Sequence, residues 1–220
     1  MRLISFLNRL RRSESGVALI EFAYSMPIFL SIGVAGIEVA DMAVTRMQVA
    51  QIALGAADNA ARLGQTDNGA VAPTVREADV DALLKGTAQE ASNIDLIQNG
   101  RIILSSIEYD NDTGRQYIRW QRCIGNLARS SAYGDDGSDN GKSGSPLPKI
   151  GKSSNPVEAD ADNAVMLVEV FYEHEGLFSP FFISTVNLNR EATFLVRDDR
   201  DLVPGLTGGA SASPCTPPSS

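Results

Sequence analysis

From Val17 to Gly36 the chain reads VALIEFAYSMPIFLSIGVAG, an apolar run with a single charge, Glu21. As a helix, about 20 residues rise roughly 30 Å, the thickness of a bilayer's hydrocarbon core. Pro27 lies inside the run, removes one backbone hydrogen bond and predicts a kink of a kind that membrane helices tolerate. Gly33, Gly36 and Ala40 form a small-residue surface that a second helix could approach, although ordinary membrane helices share this composition. Beyond the run, Val39, Met42, Val49, Ala53, Ala56, Ala60 and Leu63 recur at helical spacing, interrupted by Arg46. That pattern predicts one continuous helix, roughly 70 Å long, with a narrow apolar seam and Gly64 as its stop. The seam has two candidate partners, the chain's own domain or neighbouring helices. The first is favoured because a sheet must be covered.

After the seam the periodicity changes. Thr74 followed by Glu77 matches a capping box behind Pro73 and predicts a second helix from about Val75 to Ala91. RIILSSIEY then alternates, with Ile103, Ile107 and Tyr109 on one face. NDTG supplies a turn, and RQYIRWQRC completes a hairpin. AVMLVEVFYEH is the strongest strand, with Met166, Val168, Val170 and Tyr172 on one face and Leu167 and Phe171 on the other. REATFLVR is a fourth strand. A long helix, a short helix and a run of strands read as α+β with a small antiparallel sheet. Residues 130–163 are rich in Gly, Ser, Asp and Pro and predict a long polar surface loop. The expected organisation is a leader over 1–16, a span over 17–40, its outward continuation over 41–64, an α+β domain over 65–203 and an irregular tail over 204–220.

Charge adds an orientation. The first 16 residues carry Arg2, Arg9, Arg11 and Arg12 against Glu14, so the remainder holds −11 of the total −8. A basic head before an apolar run predicts a cytoplasmic N-terminus with the residues after about 40 outside. A cleaved secretory signal is the rival, but its apolar region would be about 7–15 residues long and end at a small-residue cleavage site. Here more helix follows, which favours a span left uncut or one cut ahead of the run. The acidic balance argues against a nucleic-acid partner. The chain has two cysteines, Cys123 and Cys215. Outside the cytosol they read as one disulfide, the alternative being two unrelated thiols.

Candidate chemistry is sparse. GKS at Gly141 and Gly151 lacks the earlier glycine of a phosphate-binding loop, because Asp136 and Pro146 stand there. DGSDNG from Asp136 begins like a calcium loop, yet its twelfth position is Leu147 instead of a bidentate Glu. In EHE at 173–175 the strand alternation separates His174 from both glutamates. The only histidine has no apparent serine or cysteine partner. No catalytic, cofactor-binding or metal-ligating residue is expected, and the chain is not expected to be an enzyme.

The segment around Glu21 carries a resemblance. GVALIEF, from Gly16 to Phe22, looks like the processing site of type IV prepilins: a basic leader, a Gly, four mostly apolar residues, a Glu and a membrane helix. SGVALIEFAYSMPIFLSIGVAGIEVADM more closely resembles the TadE-like family, minor pilins (pseudopilins) of bacterial tight-adherence pili. In that family an aromatic follows the glutamate and a proline falls mid-span, here Phe22 and Pro27. The likeness covers about residues 13 to 45. It implies a pilin-like fold and cleavage after Gly16 by a prepilin peptidase, giving Val17 a new ammonium. It implies pairing of that ammonium with Glu21, and partners among other pilins, pilus assembly proteins and the lipid bilayer. The location it implies is the bacterial inner membrane with a periplasmic domain and possible entry into a pilus. Val17 departs from the Phe or Met common at that position in type IV pilins. The contrasting expectation is an unprocessed, membrane-anchored periplasmic binding module, with Glu21 a charge tolerated near the interface.

Overall fold

The computed structural model describes residues 15–64, 72–151, 156–161, 163–178, 185–196, 200–209 and 213–215. The basic residues of the leader and the Lys152–Ser153 half of the second GKS lie outside the described residues. Helix α1 spans Ser15–Ala61 and is continuous through Pro27. A turn follows and closes at Gly64, whose φ of 79° requires a residue without a side chain. The chain divides into two compact units. One comprises Met1–Ala43 with Gly176–Ser184, the other Val44–Glu175 with Thr185–Ser220.

The larger unit is built on a four-stranded antiparallel sheet. Its strands are β2 (Gly100–Asp110), β3 (Arg115–Ile124), β4 (Val165–His174) and β5 (Val186–Leu195), in the order β3-β2-β4-β5. β2 and β4 are central and buried on both faces, which explains the near-continuous apolar run of β4, broken in Val165–Tyr172 by Glu169 alone. The edge strands carry polar and charged residues, Arg115 and Arg119 on β3 and Asn187, Asn189 and Arg190 on β5, a composition that discourages further strand pairing. The β2–β3 turn is held by Asp110, whose carboxylate accepts from the Thr113 amide at 3.0 Å and hydroxyl at 2.7 Å.

One sheet face, with Ile102, Leu104, Met166, Val168, Val170 and Tyr172, packs on helices. α1 contributes Val49, Ile52, Ala53, Ala56, Ala57 and Ala60 to this core. The apolar seam from Val49 onward is therefore used within the chain. It is broader than its spacing suggests, because Ile52, Ala57 and Ala61 flank the expected positions. Val39, placed on the seam by its spacing, is exposed.

The second helix, α2 (Glu77–Glu90), starts two residues later than the capping box predicts. Val75–Arg76 instead form β1, pairing in parallel with β6 (Leu206–Thr207). The Thr207 hydroxyl adds a bond to the Val75 carbonyl at 3.3 Å. The N-cap position is Arg76 without a side-chain cap, and Glu77 turns to Arg122. Long-range pairing thus overrides the local motif, and the tail expected to be irregular contains a strand. A 3₁₀ turn (Ala91–Ile94) and α3 (Leu96–Asn99) complete the order before β2.

The polar loop is not only surface. Tyr133, Ile150 and Ala159 are buried against Ile107, Ile118, Val165 and Leu167 on the second sheet face, with Leu147 and Val157 beside them. Ile150 and Val157 form an antiparallel bridge. The loop's apolar residues are few and aperiodic, but they close the side of the sheet that none of the described helices covers.

Candidate functional site

In the smaller unit, the N-terminal part of α1 presents an apolar surface that the described residues leave largely exposed. It is long and apolar enough to cross a membrane, a property shared with signal sequences, and its most apolar window is unburied. Leu19, Phe22, Ile28, Phe29 and Ile32 are all exposed. A methyl group added at Gly16, Gly33 or Gly36 would meet nothing within 4 Å, so the small-residue surface is open. Gly16 and Val17 lie in the first turn of the helix, and Glu21 follows one turn after Val17 on the same side. Glu21 is exposed and bonds to no described residue. Pro27 lacks an amide for the carbonyl one turn earlier. Its own carbonyl takes a hydrogen bond from the Ser31 hydroxyl at 2.7 Å, and Ser25 bonds back to Phe22 at 3.2 Å.

One carboxylate here has no counterpart in the sequence reading. Glu38 is buried, and its Oε2 accepts the amide of Phe178 at 3.3 Å. Helical spacing places Glu38 only just past the apolar run, and nothing local announces a bond to the amide of Phe178.

In the larger unit, Cys123 and Cys215 are joined, with S–S 2.05 Å. The bond pins the tail across the edge strand β3. The Cys123 amide donates to the Ser213 carbonyl at 2.9 Å, the Ser213 hydroxyl to Asp81 at 2.8 Å, and Arg101 to the Cys215 carbonyl at 3.0 Å. A cavity of about 590 Å³ opens beside the disulfide, bordered by Arg122, Arg129, Ser131, Asp135 and Asp136. Its charges are largely engaged internally. Arg122 binds Glu77 and Asp136, and Arg129 binds Asn187 at 3.0 Å. Asp135 accepts the amides of Gly137 and Asp139, and Asp136 that of Gln121. The calcium-like segment thus spends these carboxylates on its own backbone and neighbours. Among the described residues no group of three or more His, Cys, Asp or Glu is placed to hold a metal. Lys142 of the first GKS reaches Asp110 at 2.6 Å and lies over the Tyr117 ring.

Two buried acids were also missed from sequence. Glu169 pairs in register with Glu191 across β4 and β5. Ser131 donates its hydroxyl to Glu169, the Ala132 amide does so at 2.9 Å, and Tyr133 donates to Glu191 at 2.8 Å. Burial raises the Glu169 carboxyl above its ordinary value, and burial together with Glu191 pushes the Tyr133 phenol up to about 12. Glu108 on β2 is pushed up to about 7, chiefly by burial, against the pull of Arg119 at 3.8 Å. Acids inside otherwise apolar strands, LVEVF and SSIEY, are the one sequence signal for both.

Comparison with family models, with curated proteins and with solved structures returns no match.

Proposed function

We propose that the chain is a minor pilin or pseudopilin of the TadE-like kind, anchored in the bacterial inner membrane by α1 and taking part in assembly of a tight-adherence pilus. The observation that carries this reading is Glu21, one helical turn after Val17 on an exposed apolar helix that runs on into the core of an α+β domain. A carboxylate at membrane depth is costly unless paired. Cleavage between Gly16 and Val17 by a prepilin peptidase creates the partner, an ammonium at the new helix start. The pair forms within one chain, where the spacing of four suits it, or between neighbouring subunits. The domain lies in the periplasm, where the Cys123–Cys215 bond persists.

The test is the N-terminal residue of the mature protein, read by mass spectrometry from cells with and without the peptidase. Val17 is expected with the enzyme, and Gly16→Trp is expected to accumulate the longer form. A chain still beginning near Met1 in cells with active peptidase overturns the processing. It would leave the second reading, an unprocessed anchored module whose binding surface is the cavity beside the disulfide.

A further inference from the structure

Glu38 stands two positions after the end of the apolar run and is 1 % exposed. A carboxylate that close to the end of a span would ordinarily extend toward water. Here one oxygen holds the Phe178 amide at 3.3 Å, and the other, Oε1, is buried without a hydrogen-bond partner among the described residues. The carboxylate is thus spent on fixing a loop against the helix. That loop, between β4 and β5, carries two large apolar side chains into the open, Leu177 at 60 % and Phe178 at 39 % exposure.

Their height along the helix gives them a use. Glu38 rises only about 3 Å past Gly36 at 1.5 Å per residue. Each interfacial layer of a bilayer is roughly 5–8 Å deep beyond the hydrocarbon core. If the run from Val17 to Gly36 fills the core, Phe178 falls in the interfacial layer, where aromatic side chains concentrate. We propose that Leu177 and Phe178 are a second lipid contact of this chain, inserted into the outer interfacial layer beside α1 and held there by Glu38. The inference rests on α1 being a membrane span.

The lipid's chemistry follows from charge. No lysine or arginine occurs between Lys152 and Arg190, and Glu173 and Glu175 precede the loop. Anionic headgroups are not attracted to such a surface. The contact is apolar burial at a zwitterionic interface, and it does not strengthen when anionic lipid is added.

The experiment uses the full chain in single-copy nanodiscs of phosphatidylcholine brominated at either a shallow or a deep acyl position. Two variants are compared, Phe178→Trp and Phe29→Trp, and the wild type with Trp120 alone supplies the baseline. Phe178→Trp is expected to lose emission with shallow bromines and keep it with deep ones, whether or not phosphatidylglycerol is added. Phe29→Trp is expected to lose emission with deep bromines. Leu177→Trp repeats the measurement should Phe178→Trp disturb the circular dichroism spectrum. Quenching of Phe29→Trp with neither loop variant quenched overturns the lipid contact and leaves the span standing. Quenching of none of the three overturns both. Loop tryptophans that ignore bromine but shift blue with protein concentration in detergent identify a second copy as the occupant, which also overturns the proposal.

Discussion

Arg122 on β3 lays its guanidinium on the carboxylate of Glu77 in the first turn of α2, with Nε 3.0 Å from Oε2. Both side chains are largely enclosed, and Asp136 approaches the same guanidinium at 3.3 Å. The pair ties helix to sheet where the local cap is missing. Arg122→Ala leaves Glu77 buried without its partner and is expected to cost roughly 2–4 kcal/mol, near the range for breaking a buried pair. Arg122→Lys keeps the charge, loses the fork and recovers only part of the loss. Denaturant unfolding of the detergent-solubilised chain measures both. A change within about 0.5 kcal/mol for Arg122→Ala, the size of an ordinary surface substitution, would sink the assignment.

The loop that closes the second sheet face is open to a similar test. Ile150 is fully buried on Ile107, Ile118 and Leu167. Ile150→Ala is expected to destabilise by about 2–4 kcal/mol, as for other large-to-small core changes. A solvated surface loop would show almost none, so thermal melts of the variant separate the two descriptions.

Glu108 gives a pH dependence with a definite sign. Its carboxyl titrates near 7 in the folded chain against an ordinary value of 4.5. The folded state therefore keeps a proton that the unfolded state has released. Stability from this group is fully present below about pH 4.5, falls as pH rises toward 7, and levels off above it. Glu108→Gln, which cannot ionise, should match wild type near pH 4.5 and exceed it at pH 8. Melting temperatures of the two proteins across that range provide the comparison. A variant less stable than wild type at pH 8 would mean that the attraction of Arg119 outweighs the cost of burial.

Glu21 is where assembly is tested. Glu21→Ala removes a charge from the span and should still insert. If the proposed processing holds, it should also still be cut, since the small residue at Gly16 would be what admits the backbone to the protease. On the proposed pairing assembly should fail, because the ammonium freed by cleavage would then lack its counterion, a loss of about 3–5 kcal/mol for a buried pair and less where water reaches it. Glu21→Gln should fail nearly as badly and Glu21→Asp should partly work. Recovery of partner pilins by pull-down, beside a blot for the processed band, reads both steps. Normal assembly of Glu21→Gln would remove charge pairing as the reason for the residue.

Which elements were legible depends on how local their causes are. The apolar helix and the strands announce themselves, since period and alternation are written within each segment: Met166, Val168, Val170 and Tyr172 do share the helix-facing side. The start of α2 was misread because Val75 and Arg76 answer to Leu206 and Thr207, far along the chain. The loop's role was hidden because Tyr133, Leu147 and Ile150 follow no period and sit among Gly, Ser and Asp. Of the proposed site, Gly16, Val17, Glu21 and Pro27 rest on a local motif in the sequence. Glu38 was not legible, because the amide it holds, that of Phe178, comes from another part of the sequence.

The disulfide has a mechanical consequence. Cys123 and Cys215 close a ring of 92 residue steps that encloses β4, β5 and β6. A pull entering through α1 and leaving beyond Cys215 travels through the sulfur bridge, so the ring cannot be drawn out. At roughly 3.3–3.6 Å per extended residue, about 300 Å of chain is withheld from stretching. Ahead of Cys123, only the segment from the helix to β3 can lengthen under load, and β4 with β5 is spared the tension even after β2 and β3 have been peeled away.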